Sequence, residues 1–194
     1  LQQARPDSLG EVIEAFGEVT VVVPREKIAE LCSFLKTAPG LEFNFLSDLC
    51  GADRGPEEEP RFEVNYHLFS ITHHHRVRLK VLLNDDDTHV PTVTGVWRTA
   101  NWHERETYDL LGVIFDGHPD LRRILMWEQY REGFPLRKDF PLRGRFSRSE
   151  QLRQALAAQP EARYSMEELS IADAFAELPE DMRERLNKGE RTGE

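Results

Sequence analysis

Residues Trp97 to Leu125 read WRTANWHERETYDLLGVIFDGHPDLRRIL, and the first half has the spacing of an amphipathic helix. Five side chains recur at intervals of three and four and share one predicted face: Trp97, Ala100, Glu104, Tyr108 and Leu111. Gly112 follows the last of them, where helices often end in a left-handed residue. The stretch therefore predicts a helix that ends at Leu111.

Charged residues on several sides of this helix need partners. Glu104 lies on the aromatic face, and a buried carboxylate without a partner is costly. We therefore expect Glu104 to be buried and paired with an arginine or with backbone donors. Arg105 and Asp109 have the spacing of an i,i+4 ion pair, while Glu106 lies on a third face with Leu110.

Turn residues follow the helix. Gly117, His118 and Pro119 are typical of a turn, in which we expect His118 to donate to a backbone carbonyl. Asp120 is predicted to cap a short helical turn that leaves Arg122 and Arg123 exposed.

Alternating apolar residues elsewhere predict β-strands. Two segments alternate strictly and predict a hairpin joined near residues 72–75: Phe62, Val64, Tyr66, Leu68 and Val77, Leu79, Val81, Leu83. A β-branched run from Val19 to Val23 predicts a strand before them. Phe43 and Phe45 predict another strand, broken at Leu46 by a bulge. Residues 51–60 are predicted to form a solvated loop.

Two helices are predicted in the first forty residues. Ser8 and Glu11 fit a capping box for a short helix with an apolar face: Leu9, Val12, Ile13 and Phe16. Pro24 suits the start of a second helix, whose apolar stripe is Ile28, Leu31, Cys32 and Leu35. The order of elements predicts an α+β fold, with helices on one face of a mostly antiparallel or mixed sheet.

The chain is predicted to have three parts. Residues 1–114 form the α+β domain, residues 115–148 an extended irregular arm that docks on a partner, and residues 149–194 a helical, partly frayed tail. Capping boxes at Ser147 and Ser165 predict the tail helices. The arm holds five acids against eight bases, or +3 in a chain with a net charge of −10. Such a strip favours an acidic partner, although it can also be a solvated surface without function.

Composition excludes several classes of protein. The net charge of −10 argues against a nucleic-acid binder. No run has the apolar length of a membrane span, and the polar first residues predict no secretory signal. The two cysteines, Cys32 and Cys50, do not form a Cys-x-x-Cys pair, so no iron–sulfur or structural zinc motif is present.

Motifs for catalysis are also missing. His73, His74 and His75 are adjacent, and adjacent strand residues point to opposite faces, so we expect an exposed turn rather than a metal site. His103-Glu104 starts like a zincin motif, but the second histidine is replaced by Thr107. Nucleotide-binding glycine motifs and a Gly-x-Ser-x-Gly elbow are absent. Acid–base chemistry by Glu104, Glu106 and Asp109 remains an alternative to a purely structural ion-pair network.

Several of these motifs together resemble the C subunit of respiratory complex I, the proton-pumping NADH:quinone oxidoreductase. The matching residues include Glu104-Arg105-Glu106, Tyr108-Asp109-Leu110, Gly112, Gly117-His118-Pro119, Arg122-Arg123 and Pro135 to Leu142. Phe43 to Leu49 and Pro91 to Thr94 also match, so the resemblance covers roughly residues 43–144. Separate motifs in the same order are more specific than one short pattern.

The resemblance implies a non-redox structural subunit of the peripheral arm. Members of this family brace the D subunit, which forms the quinone site with the B subunit. The partners implied are chiefly the D subunit, with the B and I subunits, and the membrane arm indirectly. Iron–sulfur clusters, FMN and quinone are expected in those partners, and no cofactor, metal or catalytic residue in this chain. The implied location is the cytoplasmic side of the bacterial inner membrane. Within the arm, the residues expected to dock on a partner are Arg137, Lys138, Asp139 and Phe140.

The chain departs from the family pattern in two places. Phe134 stands where the family commonly has histidine, and residues 146–158 look helical where the family is often extended. The resemblance also fits the C subunit of a related complex that receives its electrons from ferredoxin or another donor. Two further alternatives are a free-standing enzyme that uses the carboxylate cluster and an adaptor unrelated to respiration.

Overall fold

A five-stranded mixed sheet forms the centre of the fold. The structure is a computed structural model that describes residues 9–142 and the single residues Arg153 and Ala157. Its strands are β1 (Val12–Ala15), β2 (Glu18–Val22), β3 (Phe45–Asp53), β4 (Phe62–Ser70) and β5 (His75–Leu83), in the order β1-β2-β5-β4-β3. β2 runs parallel to β5, and the other neighbours are antiparallel.

The predicted hairpin is confirmed as β4 and β5, with Phe62 opposite Leu83 and Ser70 opposite His75. Every second residue is buried along β4 and from Val77 to Leu83 of β5, because strands place alternate side chains on the core face. β3 pairs with β4, and its register shifts between Leu46 and Asp48, which confirms the predicted bulge.

Two helices complete the same core. A 3-10 turn over Arg25–Lys27 leads into α1 (Ile28–Thr37), and α2 spans Ala100–Leu111. The predicted stripe of α1 is fully buried: Ile28, Leu31, Cys32 and Leu35. Gly112 ends α2 in the left-handed conformation with φ of 82°. The α+β prediction is confirmed, and α2 begins at Ala100, so Trp97 lies in the turn before it.

Two predicted local structures are wrong. The first helix is instead strand β1, joined to β2 by Phe16 and Gly17, which both have positive φ as in a type I′ hairpin turn. β-branched Val12 and Ile13 favour this strand once β2 offers a partner. The predicted loop begins later than expected, because β3 continues to Asp53.

The region after α2 contains one short strand among the described residues. β7 (Ile114–Asp116) runs parallel to β6 (His89–Pro91), and this pair was not predicted. The short helical turn predicted after Asp120 is absent, and residues 117–142 have no helix or strand. Among the described residues, no helix is long and apolar enough to cross a membrane.

The chain divides into two compact units, residues 1–145 and residues 146–194. The described part of the predicted arm, residues 115–142, thus belongs to the unit that contains the sheet. The tail helices predicted from Ser147 and Ser165 lie outside the described residues, apart from Arg153 and Ala157, which are helical.

Candidate interaction site

Asp109 on α2 organises the segment that follows the helix. Its buried Oδ2 accepts the backbone N–H groups of Ile124, Leu125 and Met126 at 3.0, 2.7 and 2.8 Å. Its Oδ1 lies 2.6 Å from Nη1 of Arg123. Burial alone would raise the pKa of Asp109, but these donors together lower it below its usual value. The carboxylate therefore stays ionised and stabilises an irregular segment that lacks its own backbone pairing.

Arg123 fills the space between α2 and this segment. It also donates to the carbonyl oxygens of Asp109 and Gly133, at 2.9 and 3.1 Å. Its guanidinium lies 5.2 Å from the ring of Tyr130 and 5.4 Å from that of Phe134. The prediction of an exposed Arg123 is wrong, because only 12% of its side chain is accessible.

Arg105 does not form the predicted pair with Asp109. Its Nε and Nη2 donate to the carbonyl oxygens of Arg122 and Arg123, at 3.2 and 3.1 Å. The guanidinium also lies 5.6 Å from the ring of Trp102. The pair fails because each side chain faces the segment after the helix, where better-placed partners are available. Arg122 itself is exposed, 2.9 Å from Asp120.

Glu104 lies on another face of α2 and is completely buried. It accepts the Val93 N–H at 2.7 Å and the Thr92 hydroxyl at 2.5 Å. The predicted backbone donor is therefore present, whereas no arginine of the described residues takes the alternative role. Burial raises the pKa of Glu104 to about 7, although both donors act against that rise.

His118 connects the turn after β7 to α2. Its Nδ1 accepts the Asp120 N–H at 3.0 Å, so the proton is on Nε2. Nε2 donates to the carbonyl oxygen of Asn101 at 3.2 Å and lies 4.0 Å from Glu104. Burial lowers the pKa of His118, which favours the neutral ring. The expected bond to a carbonyl is formed, but the acceptor is on α2.

A second cluster of charges joins the end of the segment to the sheet. Arg61, directly before β4, contacts Asp53 at 2.9 Å, Asp85 at 2.8 Å and Asp139 at 2.5 Å. Asp53 also accepts the Lys138 N–H at 2.8 Å. Burial opposes ionisation of Asp53, but Arg61 and the backbone donors lower its pKa to about 2. Sequence reasoning missed Arg61, since no motif marks it beyond its position before a buried strand.

Arg137 and Gly112 lie between the cluster around Asp109 and the cluster around Arg61. Arg137 Nε donates to the Leu111 carbonyl at 2.7 Å, and its guanidinium stacks over Phe62 and Phe134 at 4.9 and 4.7 Å. A Cβ on Gly112 would lie 2.5 Å from Phe134. Glycine is thus required there both by its positive φ and by the close ring.

The other predicted site residues have ordinary surroundings. Tyr108 is half-buried with its ring edge-on to Phe134, at 6.5 Å. Glu106 and Pro119 are exposed, Gly117 has φ of 81°, and Phe140 is half-buried. Of the four residues predicted to dock on a partner, Lys138 donates from Nζ to the carbonyl of Arg54 at 3.1 Å, and Asp139 contacts Arg61. Docking by their exposed atoms remains a prediction.

The carboxylates proposed for acid–base chemistry do not form one site. Glu104 faces Thr92 and Val93, Asp109 faces the segment after β7, and Glu106 is exposed. Of these three carboxylates, the buried Glu104 and Asp109 are both satisfied by donors of the fold.

Donor atoms that are able to hold a metal ion converge at one place among the described residues. Asp48, Cys50 and His67 offer ligand atoms within 4.8 Å of one another on β3 and β4. Cys50 is exposed and half of the Asp48 side chain is accessible, so water competes with the protein for any ion. In the predicted histidine turn, His73 contacts Glu42 at 2.6 Å and His75 contacts the Leu41 carbonyl at 2.9 Å.

Comparisons with known proteins identify the family. A family model described as "Respiratory-chain NADH dehydrogenase, 30 Kd subunit" matches residues 21–146. The chain is 60% identical over 141 residues to the C 2 subunit of NADH-quinone oxidoreductase of Rhizobium meliloti, covering 71% of this chain and 76% of that protein. It is 50% identical over 142 residues to the C subunit of the same enzyme from Roseiflexus sp., covering 73% and 80%.

One solved structure supports the same assignment, and a second shares only the fold. A trypsin-resistant fragment of Nqo5 aligns with a TM-score of 0.55 and 36% identity, over 62% of this chain and 95% of the fragment. A chain of the archaeal membrane-bound sulfane sulfur reductase has a TM-score of 0.58 at 22% identity, covering 80% and 85%, and shares the fold. The chain therefore belongs to the family of the 30 Kd subunit of respiratory-chain NADH dehydrogenase, which is the C subunit of NADH-quinone oxidoreductase.

Proposed function

We propose that this chain is a non-redox, non-catalytic subunit of the peripheral arm of a proton-pumping NADH:quinone oxidoreductase. In this proposal it braces the D subunit during assembly and during electron transfer to quinone. It also lies near the B and I subunits, and it reaches the membrane arm only through them. The complex would hold it on the cytoplasmic side of the membrane, while FMN, iron–sulfur clusters and quinone are bound by the partner subunits.

The observation that supports this proposal concerns residues 117–142, which we call the anchored segment. Buried charges hold this segment in place, and it exposes apolar side chains. Residues 123–126 are held by Asp109, and residues 138–139 by Asp53 and Arg61. The same segment exposes Leu125, Leu136 and Leu142 to solvent. An isolated protein gains nothing from exposing them, whereas a partner that covers them removes apolar surface from water. Because the segment is already ordered, its binding loses little conformational entropy.

The charge of the segment favours an acidic neighbour. Residues 115–148 carry +3 in a chain of −10, and such asymmetry speeds encounter with a surface of opposite charge. The separation of Glu104, Glu106 and Asp109 into three surroundings favours a structural role over an enzyme that uses them together. The likeness to the sulfane sulfur reductase concerns the fold alone. The electron donor is therefore to be identified in the isolated complex that contains this chain.

The experiment replaces exposed residues that the fold of this chain does not need. Leu125→Asp and Leu136→Asp should leave the unfolding free energy of the isolated chain within about 0.5 kcal/mol, as for ordinary surface changes. The matched control is Ile71→Asp, an exposed apolar residue in the turn between β4 and β5. Tagged chains are expressed in the source cells, and the complex is isolated from their membranes and analysed by mass spectrometry.

We expect wild type and Ile71→Asp to co-purify with the D subunit, flavin and iron–sulfur proteins. The two leucine variants should recover much less of them. If the leucine variants recover the D subunit as well as wild type does, the segment is not the docking surface. If wild type recovers ferredoxin-dependent proteins in place of an NADH-binding subunit, the chain serves a related complex. Turnover of a small molecule by the monomer would contradict the proposal as a whole.

A further inference from the structure

The turn of the β1–β2 hairpin holds a residue that does not suit it. Phe16 has φ of 56° and is fully exposed, with a relative accessibility of 105%. Residues with positive φ in a two-residue hairpin turn are usually Asn, Asp or Gly, because a Cβ is strained in this conformation. Phe16 therefore has a strained backbone and also leaves a large aromatic ring in water.

Apolar side chains extend from the turn along both faces of the hairpin. Ile13 is opposite Thr20, and Val19 is opposite Glu14, so Ile13 and Val19 are on opposite faces. Their relative accessibilities are 39% and 36%. The end of the hairpin is thus a wedge with apolar surface on two sides, which fits a cleft better than a flat surface.

The charged residues of the hairpin all have the same sign. Glu11, Glu14 and Glu18 are exposed, and no lysine or arginine occurs between Glu11 and Val23. Glu18 forms a long ion pair with Arg78, at 3.8 Å, and its side chain remains 60% exposed. An acidic wedge is repelled by anionic lipid and by nucleic acid, so its complement is a protein surface with basic groups.

We propose that the end of this hairpin, residues 11–19, docks into an apolar cleft rimmed by lysine or arginine on another subunit, with Phe16 inside the cleft. This contact is separate from the anchored segment after α2, and it rests on the proposed function because the partner is a subunit of the same complex. A large aromatic residue that is buried in a partner pocket has the character of a binding hot spot. The strain at Phe16 is then a cost in the isolated chain that binding offsets.

The decisive variant is Phe16→Asn, because stability and assembly should change in opposite directions. Asparagine suits the turn, so the isolated chain should melt at a higher Tm than wild type. In the complex, loss of the ring should weaken retention of the chain by about tenfold or more, the level of a hot-spot truncation. Glu14→Lys with Glu18→Lys should also weaken retention, and more strongly at low ionic strength.

The matched control is Ile71→Asn in the turn between β4 and β5, where the side chain is exposed and φ is not positive. It should change neither Tm nor retention appreciably. If Phe16→Asn raises the Tm and the complex retains it as well as wild type, the docking inference is wrong. If wild type itself is missing from the isolated complex, the proposed function has failed instead.

Photo-crosslinking identifies the occupant directly. The full-length chain with p-benzoylphenylalanine at position 16 is incorporated into the complex, illuminated, and digested for mass spectrometry. We expect an adduct with one other subunit, at a peptide that contains lysine or arginine. An adduct with lipid, an adduct with a second copy of this chain, or no adduct would each overturn the proposal.

Discussion

Arg61 and Asp139 are 78 residues apart in the chain, and Nη2 of Arg61 lies 2.5 Å from Oδ1 of Asp139. The same guanidinium is buried against Asp53, which accepts the N–H of Lys138. The start of a central strand is thus joined to the far end of the segment after α2. This arrangement makes the segment part of the unit that contains the sheet. Substitution of Asp139 measures how strongly the pair holds the segment.

Asp139→Asn should loosen the end of this segment and leave the sheet intact. Half of the Asp139 side chain is exposed, so the loss in unfolding free energy should be at most about 1 kcal/mol. Hydrogen exchange should nevertheless become faster in residues 134–140. Asp120→Asn is the control, since Asp120 forms a similarly exposed ion pair with Arg122, at 2.9 Å, outside residues 134–140. Equal protection of residues 134–140 in wild type and Asp139→Asn would show that this pair does not hold the segment.

Asp109→Ala should destabilise the protein by about 2–4 kcal/mol. The substitution leaves three backbone N–H groups and the guanidinium of Arg123 without their acceptor in a mostly buried region. Urea unfolding of the isolated unit measures the loss. Glu106→Ala, three residues earlier and exposed, should cost less than about 0.5 kcal/mol. A similarly small loss for Asp109→Ala would contradict the role assigned to this carboxylate.

Glu104 should make stability fall as pH rises. Its pKa of about 7 in the fold exceeds the ordinary value of 4.5, so the folded state holds its proton more tightly than the unfolded state does. The stabilisation is complete below pH 4.5 and is lost as pH rises through 7, a difference on the order of 3 kcal/mol.

Glu104→Gln isolates this effect, because glutamine keeps the shape and has no proton to lose. The difference in unfolding free energy between Glu104→Gln and wild type should grow from about pH 5 to pH 8 in favour of the variant. His118 lies 4.0 Å from Glu104, so the same comparison is repeated in a His118→Gln background. Glu106→Gln is the exposed control. A difference that does not change with pH would mean that Glu104 is ionised throughout this range.

Gly51→Ala should destabilise the contact between β3 and α2. A Cβ at this position would lie 2.4 Å from Cδ1 of Leu111 and 2.8 Å from Cγ2 of Thr107. Overpacking of this kind typically costs about 1–3 kcal/mol. Gly95→Ala is the matched control, because no atom lies within 4 Å of its Cβ position. Chemical denaturation distinguishes them, and equal stabilities would mean that α2 shifts away from β3 without cost.

The sequence by itself was sufficient where local periodicity and tertiary packing agree. Strict alternation identified β4 and β5, since one buried face imposes a period of two. The stripe of α1 and the end of α2 at Gly112 followed from helical spacing and from the freedom of glycine at positive φ. The motifs around Glu104 and Asp109 were sufficient for the family, because several matches in one order are specific.

Tertiary structure decided the features that depend on residues far apart in the chain. Residues 12–15 form a strand because β2 lies beside them, which outweighs the local capping signal. Arg105 and Asp109 have the spacing of a pair, yet each binds the segment after β7, since buried groups take the partners that tertiary packing presents. The cluster of Arg61, Asp53 and Asp139 could not be predicted from the sequence for the same reason. A charged side chain has many possible partners along the chain, and the packing of the fold determines which of them it contacts.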